Sequence, residues 1–120
     1  MQRIIIADDV EPNREMLRNM LEGSYLVETA EDGEEALGKL GQYHRETAAV
    51  LLDLKMPKAD GYAVIEEMKR RGWMQKIPVL VISGEDAAAA ENRCFELGAA
   101  DFVHKPFESS VVKNRIKNAV

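Results

Sequence analysis

The sequence predicts an α/β domain built on a doubly wound, five-stranded parallel sheet, and three observations carry that prediction. Short apolar runs alternate five times with stretches of helical periodicity across 120 residues, and a parallel strand needs a crossover of that kind to return to the same edge. The runs, Ile4-Ile5-Ile6 and Val50-Leu51-Leu52 among them, are continuous rather than alternating, as in strands covered on both faces. Polar groups stand where the runs end: Asp8 and Asp9, then Asp53, Ser83 and Lys105. In open sheets of this class ligands sit outside the carboxyl ends of the strands.

Arg3 to Ala7 is a β-branched run stopped by the two acids. Pro12 suits the first turn of a helix, and Leu17, Met20 and Leu21 recur at helical spacing, which predicts a helix from Pro12 to Glu22 ended by Gly23. A second strand is expected over Tyr25 to Ala30, and Asp32-Gly33 opens a helix with Ala36, Leu37 and Leu40 on one stripe. The third strand runs from Ala48 to Asp53, and its loop holds Met56-Pro57 and the turn signal Asp60-Gly61. Val64, Ile65 and Met68 then mark an inward helical face that Gly72 closes. Pro78 to Ile82 is the fourth strand, ending at Ser83-Gly84. A helix from Ala87 to Leu97 aligns Ala90, Cys94 and Leu97, with Gly98 past its end. Asp101 to His104 is the fifth strand, and Ser109 or Ser110 is expected to cap a last helix that turns Val112, Ile116 and Ala119 inward. Met16, Met20 and Met68 read as core positions, and Cys94 as packing.

Residues 1–120 fit one domain with an ordinary core at 46% hydrophobic residues. A net charge of −5 argues against general adhesion to nucleic acid or an anionic membrane. A single cysteine excludes an internal disulfide framework, the amino terminus lacks a signal-peptide layout, and no apolar run approaches the ~20 residues of a membrane span. The expected compartment is the cytoplasm.

Asp53 is the awkward residue. An ionised carboxylate at the mouth of a buried strand is costly to desolvate unless cations or donors meet it. Alone, Asp8-Asp9 reads as a turn or helix cap, Lys105 as a surface lysine and Ser83 as a turn hydroxyl. Their meaning comes from convergence, because one sheet places all five at one edge. Clustered carboxylates repel one another and hold protons unless a divalent cation neutralises them. Mg²⁺ suits oxygen ligands from Asp9 and Asp53, with Asp8 bound directly or through water. His44 and His104 each stand apart from other metal ligands in the sequence and read as structural.

These residues, Asp8-Asp9, Asp53 with Met56-Pro57 and Gly61 behind it, Ser83, and Lys105-Pro106-Phe107, resemble the receiver domains of two-component response regulators over essentially the whole chain. The resemblance implies strand order 2-1-3-4-5 in a CheY-like fold and a signalling domain rather than an enzyme in its own right. It implies phosphoryl transfer from a sensor histidine kinase or phosphotransfer protein onto Asp53. It assigns a Mg²⁺ ligand to the backbone carbonyl of Lys55, a cis bond to Lys105-Pro106, and a switch to Ser83 and Phe102 that reshapes the face of helix 4, strand 5 and helix 5. That face would meet a downstream effector domain or protein. Ser83 and Phe102 stand where threonine and tyrosine are commoner in the family. Arg93, Asp101 and Arg115 resemble part of a charge set for a homodimer through the same face, but Val111 stands where that set has an acid. Lys55 and Glu85 flank the site and are expected either to modulate water access to the phosphoaspartate or to form a surface ion pair, the first being favoured.

Two other classes compete. A small Mg²⁺-dependent phosphatase with an aspartate nucleophile places its two acids one residue apart on one strand and carries a cap; here Asp8 and Asp9 are adjacent and 120 residues leave no cap. A receiver-like binding module without phosphorylation is opposed by the intact residue set. Flavin binding lacks a Ser/Thr/Gly-rich loop after the first strand.

Overall fold

The computed structural model describes residues 1–84 and 88–120. Five strands, β1 (Arg3–Ala7), β2 (Leu26–Ala30), β3 (Thr47–Leu52), β4 (Val79–Ser83) and β5 (Asp101–His104), form one parallel sheet in the order β2-β1-β3-β4-β5. The intervening helices are α1 (Glu11–Leu21), α2 (Gly33–Tyr43), α3 (Gly61–Arg70), α4 (Ala88–Glu96) and α5 (Ser109–Ala119).

Side chains on successive strand residues point to opposite faces, and both faces are dry. Ile5, Val50, Leu52, Val79, Val81 and Phe102 meet α2, α3 and α4 through Leu40, Val64, Ile65, Met68 and Cys94. On the other face Ile4, Ile6, Leu51, Leu80, Ile82 and Val103 meet α1 and α5 through Leu17, Leu21, Val112 and Ile116. Isoleucines 4, 5 and 6 are wholly buried, and each contributes about 1.5–3 kcal/mol relative to an exposed side chain. That two-sided burial is why the strand sequences show no polar alternation.

Helix starts follow side-chain chemistry in two cases. The carboxylates of Asp32 and Asp60 accept from the backbone N–H of Glu35 and Ala63, closing the first turns of α2 and α3. Gly72 ends α3 at a φ of 77°, a left-handed conformation that favours glycine.

Several boundaries depart from the sequence reading. α1 begins one residue earlier and ends one earlier than Pro12–Glu22. β2 begins at Leu26 rather than Tyr25, and β4 spans Val79–Ser83, because pairing with β5 extends through Ser83 and His104. β3 starts at Thr47 and stops at Leu52, so Asp53 lies one residue beyond its strand. The predicted start of α4 at Ala87, like the position of Glu85, lies outside the described residues. Neither Ser109 nor Ser110 caps α5: Glu108 holds the cap position and makes no side-chain cap bond, while both serines lie inside the helix. Met16 is 48% exposed and is not core, since α1 turns Leu17 and Leu21 to the sheet. Single 3₁₀ turns at His44–Glu46 and Trp73–Gln75 precede β3 and β4; three-residue turns leave no periodic signal in a sequence.

Candidate functional site: an acidic cluster at the sheet's switch point

Strand order reverses between β1 and β3, and the chain leaves both strands there carrying carboxylates. Asp8 follows β1 and is 2% exposed; Asp53 follows β3 and is 7% exposed. Each is pinned through its backbone: Asp8 N–H donates to the Ala30 carbonyl at 3.0 Å, and Asp53 N–H to the Ala7 carbonyl at 2.9 Å. The two acids are therefore extensions of the sheet ladder, with little freedom to separate. Asp9, one residue on, is exposed, and ligand oxygens of Asp8, Asp9 and Asp53 all lie within 4.8 Å of one another. That is the donor chemistry of a hard divalent cation, one that prefers carboxylates and keeps water on its open side.

Lys105 supplies the positive charge. Its ammonium donates to Asp8 Oδ2 at 3.0 Å and to Asp53 Oδ2 at 3.2 Å. The peptide bond between Lys105 and Pro106 is cis, as the resemblance implied. Lys105 N–H donates to the Ser83 carbonyl at 2.9 Å, which ties the end of β5 to that of β4. Asp9, Asp53, Lys55, Ser83 and Lys105 line one recess of about 350 Å³, and Asp8 lies against Lys105 at its edge. The five residues picked out at separate strand ends thus meet in one place. Ser83 itself is buried, with 1% of its surface exposed.

Burial is the largest influence on the Asp53 carboxyl and raises its pKa above the ordinary value; the Asp8 charge adds to the rise, and the Lys105 ammonium works against it. For Lys105 burial acts to lower the pKa, but its hydrogen bonds and charge contacts with Asp8 and Asp53 outweigh that and raise it. The two partners both move upward because the ammonium serves two acids, whereas Asp53 gains a single cation and loses its water. One lysine leaves the cluster short of positive charge, which is the physical reason for a cation to bind.

Two contributors were not visible in the sequence. Arg14, half-buried on α1, donates to the backbone carbonyl of Asp8 at 2.8 Å, and the Val10 N–H donates to Asp8 Oδ1 at 2.9 Å. The second contact is an Asx-type turn that the short spacing from Asp8 could have suggested; an arginine six residues on carries no such signal. Gly61 has a steric reason to be glycine, because a Cβ there would lie 2.4 Å from the Asp53 carbonyl oxygen and 2.8 Å from Leu54 Cα. Phe102 is buried in the core, 6% exposed, with its ring edge-on to His104 at 4.9 Å between centroids. Arg115 pairs with Asp101 at 3.1 Å, and the Arg93 guanidinium lies 3.9 Å over the Tyr62 ring. His44 stacks on Trp73, and His104 lies 3.5 Å from Glu91; neither joins the acidic cluster.

Comparison with known proteins agrees with this geometry. The chain is 36% identical over 113 residues to a probable cyclic di-GMP phosphodiesterase of Vibrio cholerae, covering 94% of this chain and 25% of that protein. It is 33% identical over 110 residues to the two-component response regulator ORR5 of Oryza sativa subsp. japonica, covering 91% of this chain and 81% of that one. The chain thus spans a quarter of the Vibrio protein's length and most of the rice protein's. Among solved structures, the CheX-CheY-BeF3-Mg²⁺ complex of Borrelia burgdorferi matches at a TM-score of 0.89 and 26% identity, covering 98% of this chain and 87% of that one. Vibrio cholerae CheY4 shares the fold at a TM-score of 0.90 and 24% identity, covering 100% and 99%. The response regulator receiver domain profile matches residues 4–117, and the chain belongs to that family, the phosphoaccepting signalling domains of two-component systems.

Proposed function

We propose that Asp53 is the phosphoacceptor and that residues 1–120 act as one receiver domain. The observation that carries this reading is the Lys105 ammonium between Asp8 and Asp53, at the edge of a recess that Ser83 also lines. A carboxylate oxygen of Asp53 attacks the phosphorus of a phosphoimidazole on a histidine kinase or phosphotransfer protein. The new bond is O–P, the bond broken is N–P, and the leaving imidazole takes a proton. A carboxylate nucleophile needs no general base, so positioning and charge stabilisation remain as the work of the protein.

Asp8, Asp9, Asp53 and the Lys55 carbonyl would hold Mg²⁺. Bound there, the ion would supply positive charge to the cluster and to the phosphoryl oxygens. Lys105 remains beside the acceptor and donates to a phosphoryl oxygen in place of the Asp53 oxygen it now bonds. Ser83 sits close enough in the recess to offer its hydroxyl to another. The Borrelia structure is a complex with BeF3 and Mg²⁺ on the same fold, which supports Mg²⁺ as the metal of this reading.

A group with about two negative charges then sits at the end of β3, and Ser83 and Lys105 are the donors that answer it. Movement of Ser83 carries the start of the β4–α4 connection with it, and the face of α4, β5 and α5 changes for a downstream effector domain or protein. A phosphorylation-dependent homodimer through that face is secondary, since Arg115 and Arg93 already have contacts within the chain; sedimentation with a bound phosphoryl mimic tests it.

Incubation with acetyl phosphate and Mg²⁺, followed by intact mass measurement, tests the reading. One phosphoryl group per chain, absent from Asp53→Ala and after chelation, is the expected result. Repeated phosphate release without an accumulated adduct would indicate a phosphatase instead.

A further inference from the structure

A recess of about 440 Å³ lies at the opposite pole from Asp53. The 3₁₀ turn His44–Glu46 enters β3 there and the turn Trp73–Gln75 precedes β4, so a six-residue strand separates this recess from the acidic cluster, about 20 Å along the sheet. Its chemistry reverses that of the chain. The whole sequence carries a net charge of −5, yet Arg45, Arg71, Lys76 and His44 line this one cavity together with Trp73 and Thr47. Acids do little to neutralise it. Among the described residues Arg45 and Lys76 make no ion pair, and the Arg71 contact with Glu67, at 2.7 Å, is shared with Arg70.

The aromatic part is assembled in advance. His44 stacks on Trp73 with centroids 5.1 Å apart and planes 23° from parallel, and the Arg71 guanidinium lies 5.0 Å from the centre of the indole ring. Trp73 packs against the core on its inner side, which fixes the group without further ordering on binding. Flat rings and guanidinium planes accept a further flat ring. Arg45 and Lys76, without an ion pair among the described residues, are placed to accept phosphate, the arginine in a forked, bidentate manner. A volume of this size matches small-ligand sites, which run from about 300 to 1,000 Å³.

We propose that this recess is a nucleotide-binding site, with phosphates taken by Arg45 and Lys76 and the base by the His44, Trp73 and Arg71 group. The site is independent of phosphoryl transfer at Asp53 and stands whether or not that reading holds.

Trp73 is the only tryptophan, so its fluorescence reports on this cavity alone. The full chain, without Mg²⁺, is titrated with ADP and GDP, and separately with adenosine and pyrophosphate. A saturable change with at least one nucleotide is expected, with adenosine and pyrophosphate each about tenfold weaker or more, since each supplies half of the contacts. Arg45→Glu and Lys76→Glu should each weaken the nucleotide about tenfold or more while the melting temperature and circular dichroism stay unchanged; if a reversal disturbs the fold, Arg45→Gln and Lys76→Gln replace it. No saturable response to ADP or GDP at millimolar concentration overturns the proposal. Pyrophosphate binding as tightly as the nucleotides overturns it as well, reducing the recess to an anion site, and so does nucleotide affinity that ignores the charge substitutions.

Discussion

Replacing Lys105 with methionine keeps the length of the stem and removes the ammonium from between two acids. The Lys105 side chain is 20% exposed, those of Asp8 and Asp53 only 3% and 8%, and the contacts are 3.0 and 3.2 Å. Removing one partner of a buried pair costs about 3–5 kcal/mol when the other charge stays stranded. The full figure does not apply, because Asp53, already raised by burial and by Asp8, can take up a proton at about 1.4 kcal/mol per pH unit. We expect a loss of about 2–4 kcal/mol at pH 7.5 without Mg²⁺, or about 8–16 °C in melting temperature for a domain of this size. The sign with pH follows from the direction of the shift. An acid whose folded pKa lies above its unfolded value penalises folding fully above the folded pKa, and the penalty disappears as pH falls toward the unfolded value of 3.8. The deficit of Lys105→Met should therefore shrink between pH 7.5 and pH 5. At a hundred times its dissociation constant Mg²⁺ should add about 2.7 kcal/mol to either protein at pH 7.5, and the deficit should shrink to the extent that the cluster stripped of its lysine binds the ion more tightly. Differential scanning calorimetry of both proteins across that grid is the assay. A deficit indifferent to pH and to Mg²⁺ would mean that the lysine stem matters for packing and its charge does not, which would refute the account of the cluster.

Asp53→Asn removes the disfavoured charge while keeping the shape, so the metal-free protein should melt higher than the parent at pH 7.5, lose that advantage as pH falls, and take up no phosphoryl group by mass. Gly61→Ala drives a Cβ to within 2.4 Å of the Asp53 carbonyl oxygen, where backbone rather than a flexible side chain must yield; we expect about 1–3 kcal/mol of destabilisation, read by denaturant melts, and slower adduct formation at equal protein. Glu67, held to a pKa of about 2 chiefly by its hydrogen bonds with Arg70 and Arg71, should titrate near that value by carboxyl NMR and return toward 4.5 in Arg70→Ala. Its stabilising contribution is present above about pH 4.5 and is lost as pH falls toward 2.

The sheet was legible because its central strands β1, β3 and β4 are continuous apolar runs buried on both faces. Those runs and the weaker edge strands, separated by helical repeats, leave few other architectures, and the acids at Asp8 and Asp53 announce where β1 and β3 stop. The site was legible for a related reason: a charge directly after an apolar run has to be explained by something else in the fold. What failed depended on geometry that a linear pattern does not encode. Met16 and Leu17 differ by 100° of helix rotation, and one faces water. Ser109 and Ser110 have the right chemistry for a cap, but the helix begins early enough to enclose them. Arg14 reaches the Asp8 carbonyl only because α1 leaves the β1 loop at one particular angle.

Phe102 bears on how a charge at Asp53 could reach the outer surface. Its ring is buried in the core, 6% exposed, as suits an aromatic without a hydroxyl that would prefer water. The ladder between β4 and β5 offers a backbone route from the site. Ser83 is paired with His104 and accepts from the Lys105 N–H, so two residues that line the recess are bonded to each other through backbone. A displacement of either end of that pair displaces the other. His104, adjoining Lys105, lies within 3.5 Å of Glu91 on α4, and a shift of the β5 end must change that contact. The paired strand ends and the exposed His104–Glu91 contact thus join the recess at Asp53 to α4 by a continuous line of contacts beside the Phe102 ring.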